Sequence, residues 1–210
     1  MLSESIRKYI SNQFKKPSGL FGRFIERGMS KRTTVDAEWT ISLLNIQPAS
    51  RMLEIGFGGG LAAELAIKKA PDGFLAGVDH SNTMVEISSK RNAEAIKAGK
   101  MELKQGGAEH VSYPEESFDI IYSLHSIYFW KEPTECLKSF QKILKPGGLL
   151  AITIQPRNRW RDDQINTPGM DFFFGDQIVE MFNTAGYQNV HVETLSDGEG
   201  AKLHCIIGNK

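Results

Sequence analysis

The segment Leu53–Gly60, with the sequence LEIGFGGG, constrains the fold of this chain more than any other. A short apolar run at 51–55 ends at a stretch in which four of five residues are glycine. The next residues, LAAELAIKK at 61–69, are good helix formers with apolar side chains at helical spacing. The pattern predicts a β-strand, a tight glycine turn and the N-terminus of a helix.

Such a turn is suited to binding a nucleoside. Glycine permits positive φ angles and close approach of the backbone to a ligand, and the free N–H groups of the first helical turn point to the same place. Gly56, Gly58 and Gly60 are therefore candidate binding positions. The glycine pattern by itself does not exclude an ordinary strand-to-helix turn.

The second apolar run, Gly73–Asp79, ends in an acid. Asp79 lies 23 positions after Gly56, close to the roughly 20-residue spacing expected of a carboxylate that binds ribose. A carboxylate can accept hydrogen bonds from both ribose hydroxyls at once. The alternative role for Asp79 is to cap a helix or to remain solvated.

Four segments in the same order resemble one protein family. They are LEIGFGGG, GVDHSNTM at 77–84, QGGAEHVSYPEESFDIIYSLHS at 105–126 and LKPGGLLAI at 144–152. Together they resemble the small-molecule branch of the class I S-adenosylmethionine-dependent methyltransferases, with a type 11-like methyltransferase domain. The resemblance covers residues 51–154 and is specific, because four linked motifs must coincide.

The resemblance implies an α/β fold of the Rossmann-like kind. Its sheet would have seven mostly parallel strands with helices on both faces and an antiparallel C-terminal hairpin. We expect a single methyltransferase domain over 1–210, composed of an N-terminal helical cap at 1–45 and a Rossmann-like core at 50–210. A length of 210 residues fits one domain with a sizeable core.

The resemblance also assigns roles in binding S-adenosylmethionine. Glu54 would orient the methionine end, Asp79 would bind ribose, and Ser123 and Leu124 would lie beside the sulfonium. Adenine would be contacted by His80, Met84 and Ala108. The implied cofactor-binding residues are Glu54, Gly56, Gly58, Gly60, Asp79, His80, Met84, Gly107, Ala108, Glu109, Ser123 and Leu124.

The chain departs from the family at Gly107. Many relatives have Asp there, and that Asp receives the adenine amino group. The backbone around Ala108, or the side chain of Glu109, would have to replace this contact.

The acceptor side of the site is expected around the end of the fourth strand. The resemblance places His125 facing the acceptor, where it would act as a general base or as a positional hydrogen-bonding residue. Aromatic residues suggest a substrate wall, for which the candidates are Phe21, Tyr128, Trp160 and Phe173. The long irregular stretch 155–175 is typical of a binding loop.

The closest competing interpretation is the Rossmann domain of a nicotinamide-dependent oxidoreductase. The glycine pattern does not distinguish that domain from a methyltransferase. The dinucleotide-binding fingerprint is Gly-x-Gly-x-x-Gly or Ala. Counted from Gly56, its last position is Leu61, which does not fit; counted from Gly58, it is Ala63, which does. The Lys-Pro-Gly-Gly turn at 145–148 and the Gly-Ala-Glu segment at 107–109 favour the methyltransferase. A protein that binds S-adenosylmethionine without turnover also remains open.

Composition indicates the cellular compartment of the protein and the kinds of partner to expect. The chain has 40% hydrophobic and 24% charged residues and no long apolar run, so we expect no membrane span. Residues 1–32 carry a net charge of +6, which we interpret as a solvated helical face; we expect no nucleic-acid partner. Cys136 and Cys205 lack metal-site spacing, so we expect no metal and a reducing, cytoplasmic setting. The expected partner is a small-molecule acceptor.

Local signals predict the remaining elements. A helix should begin near Ser81 or Thr83, with a capping box to Glu86, and run to about Ala98. The fifth strand should start after the Lys-Pro-Gly-Gly turn, at Leu149. Asp176 should cap the last helix, and two strand-like runs, 189–195 and 201–207, should form a hairpin.

Overall fold

The computed structural model of the protein describes residues 34–159, 170–198 and 200–210. Phe21, Trp160 and the expected N-terminal cap up to residue 33 lie outside the described residues. The strands are β1 (Arg51–Ile55), β2 (Phe74–Asp79), β3 (Met101–Gln105), β4 (Phe118–Leu124), β5 (Leu144–Ile154), β6 (Gln188–Asp197) and β7 (Gly200–Asn209). The helices are α1 (34–43), α2 (Leu61–Lys69), α3 (Asn82–Arg91), α4 (Ala93–Lys97), α5 (Pro133–Ile143) and α6 (Gly175–Thr184).

The strands form one seven-stranded sheet in the order β3-β2-β1-β4-β5-β7-β6. β1 to β5 are parallel, and β7 runs antiparallel between β5 and β6. This is the expected Rossmann-like sheet with an antiparallel C-terminal hairpin, so that prediction is confirmed. The strand order reverses between β1 and β4, and open α/β sheets bind their ligands at such a point.

Alternating side chains bury both faces of the sheet. On one face Leu53 and Ile55 of β1 join the apolar sides of α5 and α6. On the other face Met52 joins α1 and α2. Neighbouring strand residues point to opposite faces, so helices cover both sides of the sheet. The parallel pairing of β1 to β5 brings the carboxyl ends of these strands to one common edge.

The helix expected from Ser81 to Ala98 is two helices. Ser81, rather than Thr83, caps the first, and its side chain accepts a hydrogen bond from the N–H of Met84. The helix is interrupted at Asn92, because the side-chain amide of Asn92 donates to the carbonyl of Gly60 at 3.1 Å as well as to that of Ser88 at 3.0 Å. The prediction of one continuous helix was wrong for a tertiary reason.

Two other boundaries differ from expectation. β5 begins at Leu144 instead of Leu149, because Leu144 pairs with Phe118 and a register shift between Phe118 and Ile120 accommodates the glycine turn. The last helix begins after Phe174, whose N–H donates to Oε1 of Gln177 at 2.8 Å. Asp176 therefore lies inside the first turn rather than at the cap.

Candidate functional site

The glycine turn after β1 lies at the edge where the strand order reverses. Gly56, Gly58 and Gly60 have φ angles of +76°, +50° and +76°, which other residues rarely adopt. The N–H of Gly56 donates to the carbonyl of Val78 at 2.7 Å, which ties the turn to β2. A Cβ added to Gly58 would meet nothing within 4 Å among the described residues. The turn therefore faces open space at Gly58.

Asp79 at the end of β2 is joined directly to this turn. Its Oδ2 accepts a hydrogen bond from the N–H of Gly58 at 2.9 Å, and its Oδ1 accepts one from the N–H of Ser81 at 2.9 Å. The residue is 6% exposed, and burial raises the pKa of its carboxyl although both N–H groups act in the opposite direction. Each carboxylate oxygen has a second lone pair, so Asp79 can still accept from two further donors.

Glu54 lies one residue before the end of β1 and is 1% exposed. The hydroxyl of Tyr122 donates to its Oε2 at 3.0 Å. Burial raises the pKa of the Glu54 carboxyl to about 8, with the nearby charge of Asp79 acting in the same direction. A cationic group placed beside Glu54 would favour its ionised form.

The loop after β4 is bonded to the end of β1 through a serine that the sequence analysis did not single out. Ser126 donates its hydroxyl to the carbonyl of Ile55 at 2.8 Å. Its oxygen lies 2.6 Å from that of Ser123. Because the one hydroxyl hydrogen of Ser126 is used by Ile55, Ser123 must be the donor in this pair. A Cβ at Gly56 would lie 2.4 Å from that of Ser126, so glycine permits this contact.

His125 follows β4 with a φ of +53°, in the left-handed region that ordinary residues avoid. Its Nε2 lies 3.1 Å from Oδ2 of Asp36 in α1, and Nζ of Lys202 in β7 lies 2.9 Å from Oδ1 of the same carboxylate. Asp36 is 5% exposed. Burial raises its carboxyl pKa, but the hydrogen bonds from His125 and Lys202 outweigh burial and hold that pKa below its ordinary value. No sequence signal indicated Asp36 or Lys202.

The residues expected around adenine lie on the β2 and β3 side of the edge. Met84 and Ala108 are buried, and the ring of His80 lies 6.2 Å from that of Phe129. Glu109 Oε1 accepts a hydrogen bond from the N–H of Lys131 at 2.8 Å.

The missing Asp at position 107 has a local counterpart. A Cβ at Gly107 would lie 2.7 Å from Oε2 of Glu109. The Glu109 carboxylate thus occupies the space where a side chain at 107 would begin. This proximity favours Glu109 among the two replacements considered from the sequence.

The described members of the expected substrate wall are packed to different degrees. Tyr128 is 2% exposed; its hydroxyl donates to the carbonyl of Gln155 at 3.0 Å and accepts from the N–H of Gln155 at 2.8 Å. Phe173 is half-buried, and its carbonyl accepts from the N–H of Arg157 at 3.1 Å. Tyr128 holds the loop after β5, and a substrate role for either residue stays a prediction.

These features together define a class of protein. A glycine turn with open space at Gly58, buried acids near the carboxyl ends of β1 and β2, and an α/β switch point fit an extended cofactor with a nucleoside end and a charged end. Among the described residues no His, Cys, Asp or Glu cluster is placed to hold a metal ion. No described helix is long and apolar enough to cross a membrane.

Comparison with known proteins identifies the family. Residues 53–152 match the family model described as a methyltransferase domain. A Bacillus subtilis protein described as the uncharacterized methyltransferase YdaC is 31% identical over 156 residues, which cover 74% of this chain and 81% of that protein. The chain belongs to the class I S-adenosylmethionine-dependent methyltransferases.

Two further relatives extend the comparison. A demethylmenaquinone methyltransferase of Lactobacillus johnsonii is 27% identical, with 72% of each chain covered. The crystal structure of a Thermotoga maritima methyltransferase, described as a possible histamine N-methyltransferase, is 25% identical with a TM-score of 0.70. The match covers 90% of this chain and 96% of that one. These relatives favour methyl transfer over the nicotinamide-dependent alternative.

Proposed function

We propose that this enzyme transfers the methyl group of S-adenosylmethionine to a small-molecule acceptor at the carboxyl edge of β1, β2 and β4. The observation that carries the proposal is the hydrogen bond between Asp79 and the N–H of Gly58. It joins the expected ribose acid and the glycine turn into one rigid unit beside open space. Small-molecule methyltransferases among the relatives support the acceptor class.

The bound cofactor would supply a methyl carbon activated by a sulfonium leaving group. The protein therefore has mainly to align the acceptor, exclude water and handle one proton. We assign the glycine turn to the cofactor backbone, Asp79 to ribose, and Ser123 and Leu124 to the sulfonium side. Glu54 is placed to meet the ammonium of the methionine end.

On the adenine side we assign His80 and Met84 to the ring faces. Glu109, together with the backbone of Ala108, would receive the adenine amino group. The support is the position of Glu109 Oε2 beside Gly107. We also place the enzyme in a reducing, cytoplasmic compartment, because Cys136 and Cys205, both within the described residues, are buried free thiols.

Two measurements test the proposed function. Titration calorimetry should show binding of S-adenosylmethionine and of its demethylated product, S-adenosylhomocysteine, and no binding of NADH. Incubation of a metabolite extract with isotope-labelled cofactor should then yield a methylated compound detectable by mass spectrometry. Absence of binding would overturn the proposal. Binding without any labelled product across extracts would favour a regulatory protein that holds the cofactor without turnover.

A further inference from the structure

Three polar residues that are far apart in the sequence meet at the carboxyl edge of the sheet. His125 follows β4, Asp36 lies in α1 and Lys202 lies in β7. One carboxylate oxygen of Asp36 meets Nε2 of His125 at 3.1 Å, and the other meets Nζ of Lys202 at 2.9 Å. The His125 backbone is also held, because its N–H donates to the carbonyl of Thr153 at 2.9 Å.

This arrangement determines which nitrogen of His125 carries the hydrogen. Asp36 is ionised at neutral pH, because the hydrogen bonds from His125 and Lys202 hold its carboxyl pKa below the ordinary value despite burial. An ionised carboxylate only accepts hydrogen bonds, so Nε2 must donate. In the neutral ring the lone pair is then on Nδ1.

The free nitrogen has access to a ligand. No residue within the described ranges forms a hydrogen bond with Nδ1 of His125, and the side chain is 28% exposed. His125 directly follows Ser123 and Leu124, the last two residues of β4, which we assign to the sulfonium side. An acceptor aligned with that position therefore lies within reach of this loop.

We propose that Asp36 is a positioning residue that, with Lys202, holds His125 as the Nε2–H tautomer, and that Nδ1 removes the proton of an acceptor hydroxyl or amine as it is methylated. This inference rests on the proposed function. It names the acceptor class: a nucleophile whose oxygen or nitrogen bears a proton. Asp36 and Lys202 act through His125 and need not touch the acceptor.

The step balances in atoms and charge. The acceptor oxygen or nitrogen forms a bond to the methyl carbon while the sulfur–methyl bond breaks and its electron pair returns to sulfur. The acceptor proton moves to Nδ1 of His125, which becomes an imidazolium. Its positive charge is stabilised by the Asp36 carboxylate, whose charge is otherwise balanced by Lys202.

The tautomer can be measured by nitrogen NMR of the imidazole ring in the full chain, without any acceptor. The His125 signals are assigned by their loss in His125→Gln. In the wild-type protein we expect the neutral ring to be protonated at Nε2. In Asp36→Asn the Lys202 ammonium, which can only donate, holds the amide oxygen, so the amide NH₂ faces Nε2. We therefore expect the hydrogen to move to Nδ1.

A second substitution separates this mechanism from simple damage. In Asp36→Asn combined with Lys202→Met, the amide is free to rotate its oxygen toward His125, so the Nε2–H tautomer should return. Lys202→Met alone should leave the tautomer unchanged. Thr40→Val is the matched packing control, because Thr40 Oγ1 bonds the Asp36 backbone carbonyl and Thr153 but not the Asp36 carboxylate.

The outcomes are distinct from those of the cofactor experiment. A neutral wild-type ring protonated at Nδ1, or an Asp36→Asn ring that stays protonated at Nε2, would overturn the positioning role of Asp36, even if S-adenosylhomocysteine binds. Failure of all variants to bind cofactor, with the expected tautomers present, would instead count against the proposed function. An acceptor whose methylated atom carries no proton would overturn the acceptor class.

Discussion

At the scale of the residue, two buried acids, Glu54 and Asp79, lie near the carboxyl ends of the neighbouring strands β1 and β2. Glu54 and Asp79 are both nearly inaccessible to solvent; burial raises the pKa of both carboxyls, and the charge of Asp79 raises that of Glu54 further. Asp79 is stabilised by two backbone N–H groups, whereas Glu54 receives the hydroxyl of Tyr122. In the ligand-free protein Glu54 is therefore more readily protonated than Asp79.

The raised pKa of Glu54 predicts a pH dependence of stability. Its pKa is about 8 in the folded protein against an ordinary value of 4.5. Between these pH values the folded state holds a proton that the unfolded state has released, so stability falls as pH rises. We expect Glu54→Gln, which holds no such proton, to gain unfolding free energy relative to the wild type between about pH 5 and pH 8.

Urea unfolding of both proteins across this range measures the difference. The Gln side chain keeps an acceptor for the Tyr122 hydroxyl, so the comparison isolates ionisation. Parallel stability curves for the two proteins would show that the Glu54 pKa is not raised.

Asp79 should affect cofactor binding as well as the turn. In Asp79→Asn one oxygen becomes an NH₂ group, which cannot accept from a ribose hydroxyl or from a backbone N–H. We expect the dissociation constant for S-adenosylhomocysteine to rise at least about tenfold, the scale of a lost hydrogen bond to a charged group, about 1.5 to 3 kcal/mol. Calorimetry on variants that circular dichroism shows to be folded makes the test, and an unchanged constant would remove Asp79 from the ribose site.

At the scale of the element, the glycine turn depends on the break between α3 and α4. Asn92 donates to the carbonyl of Gly60 from 32 residues away, and Ser88 packs beneath the same glycine. A Cβ at Gly60 would lie 2.0 Å from Oγ of Ser88 and 2.7 Å from Nδ2 of Asn92. Gly60 is therefore required by packing as well as by its φ angle, whereas Gly58 is required by φ alone.

This contrast makes Gly58→Ala and Gly60→Ala a matched pair. Both place alanine in a left-handed conformation, at a cost of about 1 to 2 kcal/mol. Gly60→Ala should lose more than this, because buried side chains must also move. Gly58→Ala should lose stability only by the conformational cost but should bind S-adenosylhomocysteine much more weakly, because its methyl group enters the open space assigned to the cofactor.

Chemical unfolding and calorimetry on the two variants provide the comparison. Equal losses of stability would contradict the packing argument at Gly60. Normal cofactor affinity in Gly58→Ala would place the cofactor away from the turn.

At the scale of the whole molecule, the site is assembled by the sheet, and α1 packs on one face of that sheet. β1, β2 and β4 bring their carboxyl ends together at the switch point. α1 is joined to β5 through Thr40, whose hydroxyl lies 2.8 Å from that of Thr153. The cofactor assignments and His125 lie at the carboxyl ends of strands or in the segments that follow them. Ligand binding should therefore stabilise the whole sheet rather than one loop.

Thermal unfolding tests this expectation. A ligand at about 100 times its dissociation constant adds about 2.7 kcal/mol of stability, which for a chain of this size raises Tm by about 5 to 10 °C. We expect S-adenosylhomocysteine to produce this shift and NADH to produce none. A shift with NADH alone would argue for a nicotinamide cofactor despite the family.

Features that depend on residues close together in the chain could be predicted from the sequence. Glycines with positive φ, the apolar run before them and the helix formers after them specify the strand, turn and helix of Arg51–Lys69 locally. Asp79 follows from a spacing that one strand–helix–strand unit imposes. The hairpin of β6 and β7 was predicted from its own turn residues, for the same reason.

Features that join distant segments of the chain became visible only in the folded protein. Helix periodicity continued through Asn92, and the break came from a hydrogen bond to Gly60. The start of β5 was set by pairing with Phe118. Asp36 and Lys202 lie 89 residues before and 77 residues after His125, and no periodicity links an N-terminal helix, a loop and a last strand. Their meeting follows from the strand order β4-β5-β7, which brings the end of β4 and Lys202 of β7 to the same edge of the sheet, where the Asp36 carboxylate of α1 bonds both His125 and Lys202.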